Sequence, residues 1–232
     1  MAAMFKGDHK SEQHGGQQEG DEGPRRVVVA EPEAVRARLL ELGVPLEALE
    51  EVRSARVAAR SAASSALHPV IAGGLHAWTE SVRALREKLI PLPDHEWRIH
   101  RVHGSEQVMS SQGVAIVIAK GNKHTGVVDQ TPSTATPKAA VEHAAQHAQL
   151  DLFGDPATVA NDRAHTWFLL FHQTDSQIRF ELSFPTMFAG GYPVEWGERI
   201  IPPSYDLLEP EPERIAPPSH DEMIDVPVMR RA

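Results

Sequence analysis

Cysteine is absent from this 232-residue chain. That absence removes disulfides, thiolate zinc centres, iron–sulfur clusters and Cys nucleophiles together, so any metal would need His and carboxylate ligands. Nor is there an apolar run approaching the roughly 18–20 residues that cross a bilayer. The N-terminus lacks a basic stretch followed by an apolar one of the secretory kind, and the cytoplasm is the expected location. Positive charge is in deficit, with 23 Lys+Arg against 32 Asp+Glu and a formal net charge of −9. Affinity for a nucleic-acid backbone comes from Lys and Arg displacing counterions, so DNA is expected to be reached only through another protein. What is present is ordinary for a soluble globular protein, 41% hydrophobic and 24% charged residues, in a chain long enough to bury roughly 70% of its unfolded surface.

Residues 1–26 are Gly, Gln, Glu, Asp and His with little aliphatic content, which predicts a disordered tail. Residues 206–232 read as a second tail, Pro-rich and acidic, whose Met223, Ile224, Val226, Val228 and Met229 give it an end able to dock. Between them, 27–205 reads as one domain, helical over 31–92 and sheet-forming over 94–205. Pro32 between two glutamates opens a first helix that Gly43 and Pro45 close, and a second runs from about Leu46 toward His68-Pro69. The best periodic signal is Leu75, Trp78, Val82, Leu85 and Leu89, an amphipathic stripe expected to pack on the domain's own sheet. After Pro93 the period becomes that of strands. They are expected at 97–103, at 114–119 as a buried central strand, at 166–173 and 177–184 as a hairpin through Thr174-Asp175-Ser176, and at 198–201. Thr136 as cap and Pro137 at the first helical position start a helix reaching Gln149. Helices followed by β-β-α-β-β-β predict an α+β fold, mainly antiparallel, with helices against one face.

That helix ends in Gln149-Leu150-Asp151-Leu152-Phe153, followed by Gly154-Asp155-Pro156. The pentapeptide resembles the linear motif by which polymerase subunits, mismatch-repair proteins and translesion factors bind the bacterial DNA sliding clamp. It covers five residues of 232, and no position departs from the motif. The resemblance implies that Leu152 and Phe153 fill the deeper clamp pocket, Leu150 packs beside them, Gln149 hydrogen-bonds at a second subsite and Asp151 faces outward. Physically, a segment stopped by Gly-Asp-Pro can extend and present apolar anchors to pockets, which supply most of such an interface's energy. The competing reading makes Leu150, Leu152 and Phe153 ordinary core residues where the chain turns toward the next strand.

Just upstream, Ala119-Lys-Gly-Asn-Lys-His-Thr-Gly126 and Asp129–Lys138 form a Lys/Thr/Pro loop. It faintly resembles uncharacterised bacterial mobile-element proteins, a resemblance that brings no chemistry with it. Lys120, Lys123, Thr125 and Lys138 are candidate ligand residues, since lysines, hydroxyls and backbone N–H groups at a helix start hold phosphate. No Walker A pattern is present, and capped turns account for the same residues. His143 and His147 stand at i and i+4 but lack the Glu of H-E-x-x-H. His172, Asp175 and Glu181 could face one another across the hairpin as an acid/base pair or metal site, although cross-strand polar pairing on a solvated face is the simpler account. No metal, cofactor or catalytic residue is assigned. The leading expectation is a non-catalytic accessory protein of replication, repair or a mobile element, bound to the sliding clamp through 149–153 and engaging a second protein partner through its body. The alternatives are a metal-dependent nucleic-acid-processing enzyme, and a self-contained immunity or host-takeover factor in which the pentapeptide is structural.

Overall fold

The computed structural model describes residues 26–102, 104–135 and 165–207. In them the elements follow as β1 (Val27–Val29), α1 (Pro32–Glu41), α2 (Leu46–Ala62), α3 (Ala72–Leu89), β2 (Arg98–Val102), β3 (Ser105–Met109), β4 (Val114–Lys120), β5 (His165–Gln173), β6 (Gln177–Ala189), β7 (Tyr192–Ile200) and β8 (Tyr205–Asp206). The class is α+β, as the change of hydrophobic period predicts. The strands form one sheet in the order β1-β7-β6-β5-β4-β3-β2, with β8 beside β6. Five of its seven pairings are antiparallel; β1 with β7 and β4 with β5 are parallel. The parallel pair requires a crossover, which residues 121–164 supply. The helix expected over 136–149 lies within that crossover, outside the described residues.

The sheet has more strands than the periodicity predicts. β3, Ser105-Glu-Gln-Val-Met109, is too polar to show alternation, yet it pairs with β2 and β4 on either side. β1 is three residues long and finds its partner in β7, from Glu198 to Ile200. β6 and β7 form a longer hairpin than expected, hidden by Pro185 and Pro193. Register shifts between Phe184 and Phe188 absorb the irregularity where Pro185 faces Trp196.

Alternation along the strands divides the sheet into two buried faces. Ile116, Ile118, Trp167, Leu169, Phe171, Phe180, Leu182 and Ile200 pack under Val35 and Leu39 of α1, Leu49 and Val52 of α2, and Val82, Leu85 and Leu89 of α3. Val117, Ala119, Phe168, Leu170 and Trp196 form a smaller cluster on the opposite face. β5 is therefore apolar on both sides, the composition of an interior strand. Gly43 ends α1 in a left-handed conformation with φ of 71°, and a Cβ there would come within 2.5 Å of the His95 ring. Trp97 donates its indole N–H to the Gly43 carbonyl at 3.2 Å, tying the helical layer to the start of the sheet.

The stripe on α3 departs from expectation. Its C-terminal half is core, but Leu75 is 53% and Trp78 36% exposed. The principal sheet contacts of α3 are with β3 and β4, beside the β2 end of the sheet, so among the described residues its first turns have little beneath them. At the other end β8 is tied to α2. Tyr205 donates to Glu50 at 2.6 Å, and the Arg53 guanidinium lies 3.6 Å above its ring. Burial, then the Glu50 carboxylate, pushes the phenol up to about 12. No helix among the described residues is long and apolar enough to cross a membrane.

Candidate functional site

The Lys/Thr/Pro loop leaves β4 at Lys120 and folds back over the smaller apolar face. Its closure is backbone to backbone: Ala135 N–H donates to the Lys120 carbonyl at 2.7 Å, Asn122 N–H to the Ser133 carbonyl at 3.0 Å, and Gly121 bridges Thr134. Gly121 permits this return, because a Cβ on it would sit 2.0 Å from the Thr125 hydroxyl. Thr125 is fully buried beneath the loop, so this candidate ligand residue acts in packing the turn. Lys120 and Lys123 are exposed.

Arg199 of β7 holds the loop to the sheet. Fully buried, it makes five hydrogen bonds: two to the carboxylate of Glu181, at 3.2 and 2.6 Å, and three to the carbonyls of Val127, Val128 and Gln130. Glu181, equally buried, also accepts from the Gly126 N–H at 2.7 Å and the Ser183 hydroxyl at 2.9 Å. Each charge is thus neutralised and its hydrogen-bonding capacity used, the condition under which an ion pair tolerates burial. Trp196 adds an indole N–H to the Pro132 carbonyl at 2.9 Å.

This arrangement decides how the hairpin residues pair. In register, His172 faces Arg179 and Glu181 faces Leu170. Glu181 is committed to Arg199 and the loop, so no acid/base pair with His172 forms, and Asp175 lies in the turn between the strands. Among the described residues no group of three or more His, Asp or Glu is placed to hold a metal ion. Gln149, Leu150, Asp151, Leu152 and Phe153 lie outside the described residues, as do Lys138, His143 and His147.

What the structure does gather is positive charge at the C-terminal ends of β4 and β5. Lys120 and Arg179 both act on His172, and Arg179 donates to the Lys123 carbonyl at 2.9 Å. His172 and Arg179 lie outside the sequence-derived loop, and the observed register, with Gln173 opposite Ile178, sets His172 against Arg179 where the sequence reading set it against Glu181. Burial first, then Arg179 and Lys120, hold the His172 imidazole below its ordinary value of 6.5. The folded state therefore binds this proton less readily than the unfolded chain. This contribution is present above pH 6.5 and is lost as pH falls through the lowered folded value. The expected result is a thermal midpoint that drops from pH 7 toward pH 5, with a smaller drop in His172→Gln. Equal drops in the two proteins would remove His172 from the account.

The ensemble is a pinned loop with a cationic margin, in which the buried charges hold structure. None of the family models, curated proteins or solved structures compared with the chain matches it, so the functional argument stands on the chain's own residues.

Proposed function

We propose that the chain is a non-catalytic accessory protein that binds the bacterial DNA sliding clamp through Gln149–Phe153, in replication, repair or a mobile-element setting. The match of this pentapeptide to the clamp-binding motif at every position carries the reading. The body offers a physical context for it. β4 and β5 are locked in a seven-residue parallel register from Val114↔His165 to Lys120↔Phe171. The chain must return across roughly 23 Å of strand, and residues 136–164 provide a contour of roughly 95 Å for it. That surplus lets Leu152 and Phe153 enter a partner's pockets without disturbing either strand. A clamp contact of this size is weak alone, and a second contact made by the body would supply avidity. In such a role DNA is approached only through the clamp, which suits the net charge of −9.

Calorimetry of the purified chain with a bacterial sliding clamp tests the proposal. The wild type is expected to bind, and Leu152→Ala/Phe153→Ala to lose at least about 100-fold in affinity, since two anchor residues at about 2 kcal/mol each are removed. Circular dichroism should be the same for both. A wild type that does not bind any bacterial clamp tried, or a folded variant that binds as well as the wild type, defeats the reading.

A further inference from the structure

The sheet ends at β2, whose outer edge has no partner strand among the described residues. Such an edge presents a row of unpaired N–H and C=O groups and is a template for one more strand. Beside it lies a groove of about 400 Å³ between α3 and the β2–β3 hairpin, lined by Trp78, Val82, Arg86, Arg101 and Glu106 among others. Its floor is apolar where Trp78 is 36% exposed, and Ile99, on the same face of β2 as Arg101, is 46% exposed. The charge of this edge is unbalanced: on the groove side Arg86 and Arg101 share the single carboxylate of Glu106, while on the other face the exposed Arg98 forms no ion pair among the described residues. A second copy of β2, Arg-Ile-His-Arg-Val, would bring further arginines and no carboxylate to this edge. The edge is suited to a strand that carries both acidic and apolar residues.

The chain carries such a segment. We infer that Asp221-Glu-Met-Ile-Asp-Val226 adds to the outer edge of β2 as a ninth strand. When extended, Glu222, Ile224 and Val226 share one face, which sets the two apolar side chains against Trp78 and Ile99 and the carboxylate toward Arg101. Asp221, Met223 and Asp225 take the other face, with Arg98 and His100. Pro227 follows at once, where a strand can end but not continue as a central one. The tether is long enough. Thirteen residues lie between Leu207 and Asp221, so the Cα–Cα steps joining the two reach about 46 Å, against about 29 Å for the six strand spacings from the column of β8 to the slot outside β2. Cover from its own tail hides the apolar groove, and a partner's strand would have to displace it.

Amide hydrogen exchange on the full-length chain tests this. The outward-facing amides of residues 98–102 are expected to exchange at least 10-fold more slowly in the wild type than in Asp221→Lys/Glu222→Lys/Asp225→Lys, with β5 and β6 unchanged in both as the control for folding. Arg98→Glu alone should speed exchange at the edge, and combining it with Asp221→Lys/Asp225→Lys, on the face that Arg98 occupies, should slow it again. Equal exchange at 98–102 in the wild type and the tail variant overturns the inference, as does failure of the combined variant to recover. Protection that falls on dilution through the micromolar range overturns it too, because the strand would then come from a second copy.

Discussion

Replacing Arg199 with alanine is expected to lower the unfolding free energy by about 3–5 kcal/mol, the usual cost of breaking a buried ion pair from one side. The loss has two parts. Glu181 stays fully buried and loses both contacts to the guanidinium. The carbonyls of Val127, Val128 and Gln130 lose their donor at the same time, so the loop over residues 121–135 loosens along with the sheet beneath it. For a domain of this size the change corresponds to a fall in thermal midpoint of roughly 6–20 °C. Glu181→Leu should cost a similar amount, because it strands the arginine. Arg199→Met/Glu181→Leu should be more stable than either single variant, since no unpaired charge is left, yet should stay below the wild type because the three carbonyls still lack a donor. Urea denaturation of the four proteins measures this. A loss under about 1 kcal/mol in Arg199→Ala would mean that water reaches Glu181 and replaces the guanidinium.

Phe171→Ala should be comparably damaging, at about 3–5 kcal/mol. The ring is fully buried in β5 and stacks on Phe180 with centroids 5.7 Å apart. Its face also lies 4.8 Å from the Arg56 guanidinium. Arg56 is an uncommon residue, 6% exposed with no carboxylate partner among the described residues, one long hydrogen bond to Ser81 at 3.4 Å and a buried Nε that donates to nothing. Burial, and to a lesser degree Arg60, pushes it down to about 10. Contact with the aromatic face is its main compensation. Removing Phe171 leaves both a cavity and a bare cation, whereas Phe171→Leu leaves mostly packing and should cost less. Arg56→Met keeps the aliphatic packing and removes the desolvated charge, so its stability should lie within about 1 kcal/mol of the wild type. A double-mutant cycle isolates the cation–ring coupling. Strictly additive losses would show that Phe171 acts through volume alone.

Much of the architecture was legible because it is written at short range. The 3.6-residue stripe placed α3, and Pro32, Gly43 and Pro45 bracketed α1 at the positions the structure uses. Alternation on either side of Thr174-Asp175-Ser176 placed the β5–β6 hairpin, but its register, which sets His172 against Arg179 and not Glu181, came only with the structure. Elements that depend on distant partners left no such mark. Val27–Val29 is a strand because Glu198–Ile200 offers it an edge, and the polar β3 is a strand because two neighbours hydrogen-bond it from either side. α3 has a continuous apolar stripe, yet how much of it is covered depends on where the sheet stops.

The candidate site divides in the same way. By itself the sequence determined the α+β class, the absence of cysteine chemistry, the acidic balance, the pentapeptide at 149–153 and a loop rich in Lys, Thr and Pro. Only the tertiary structure decided that Thr125 is packing, that Glu181 is a structural anion and that Arg199 is the residue holding the loop. Arg199 is 18 positions from its carboxylate and 69 to 72 positions from its carbonyls. No local pattern encodes that set, because whether a charge can be buried depends on which groups the folded chain brings to meet it.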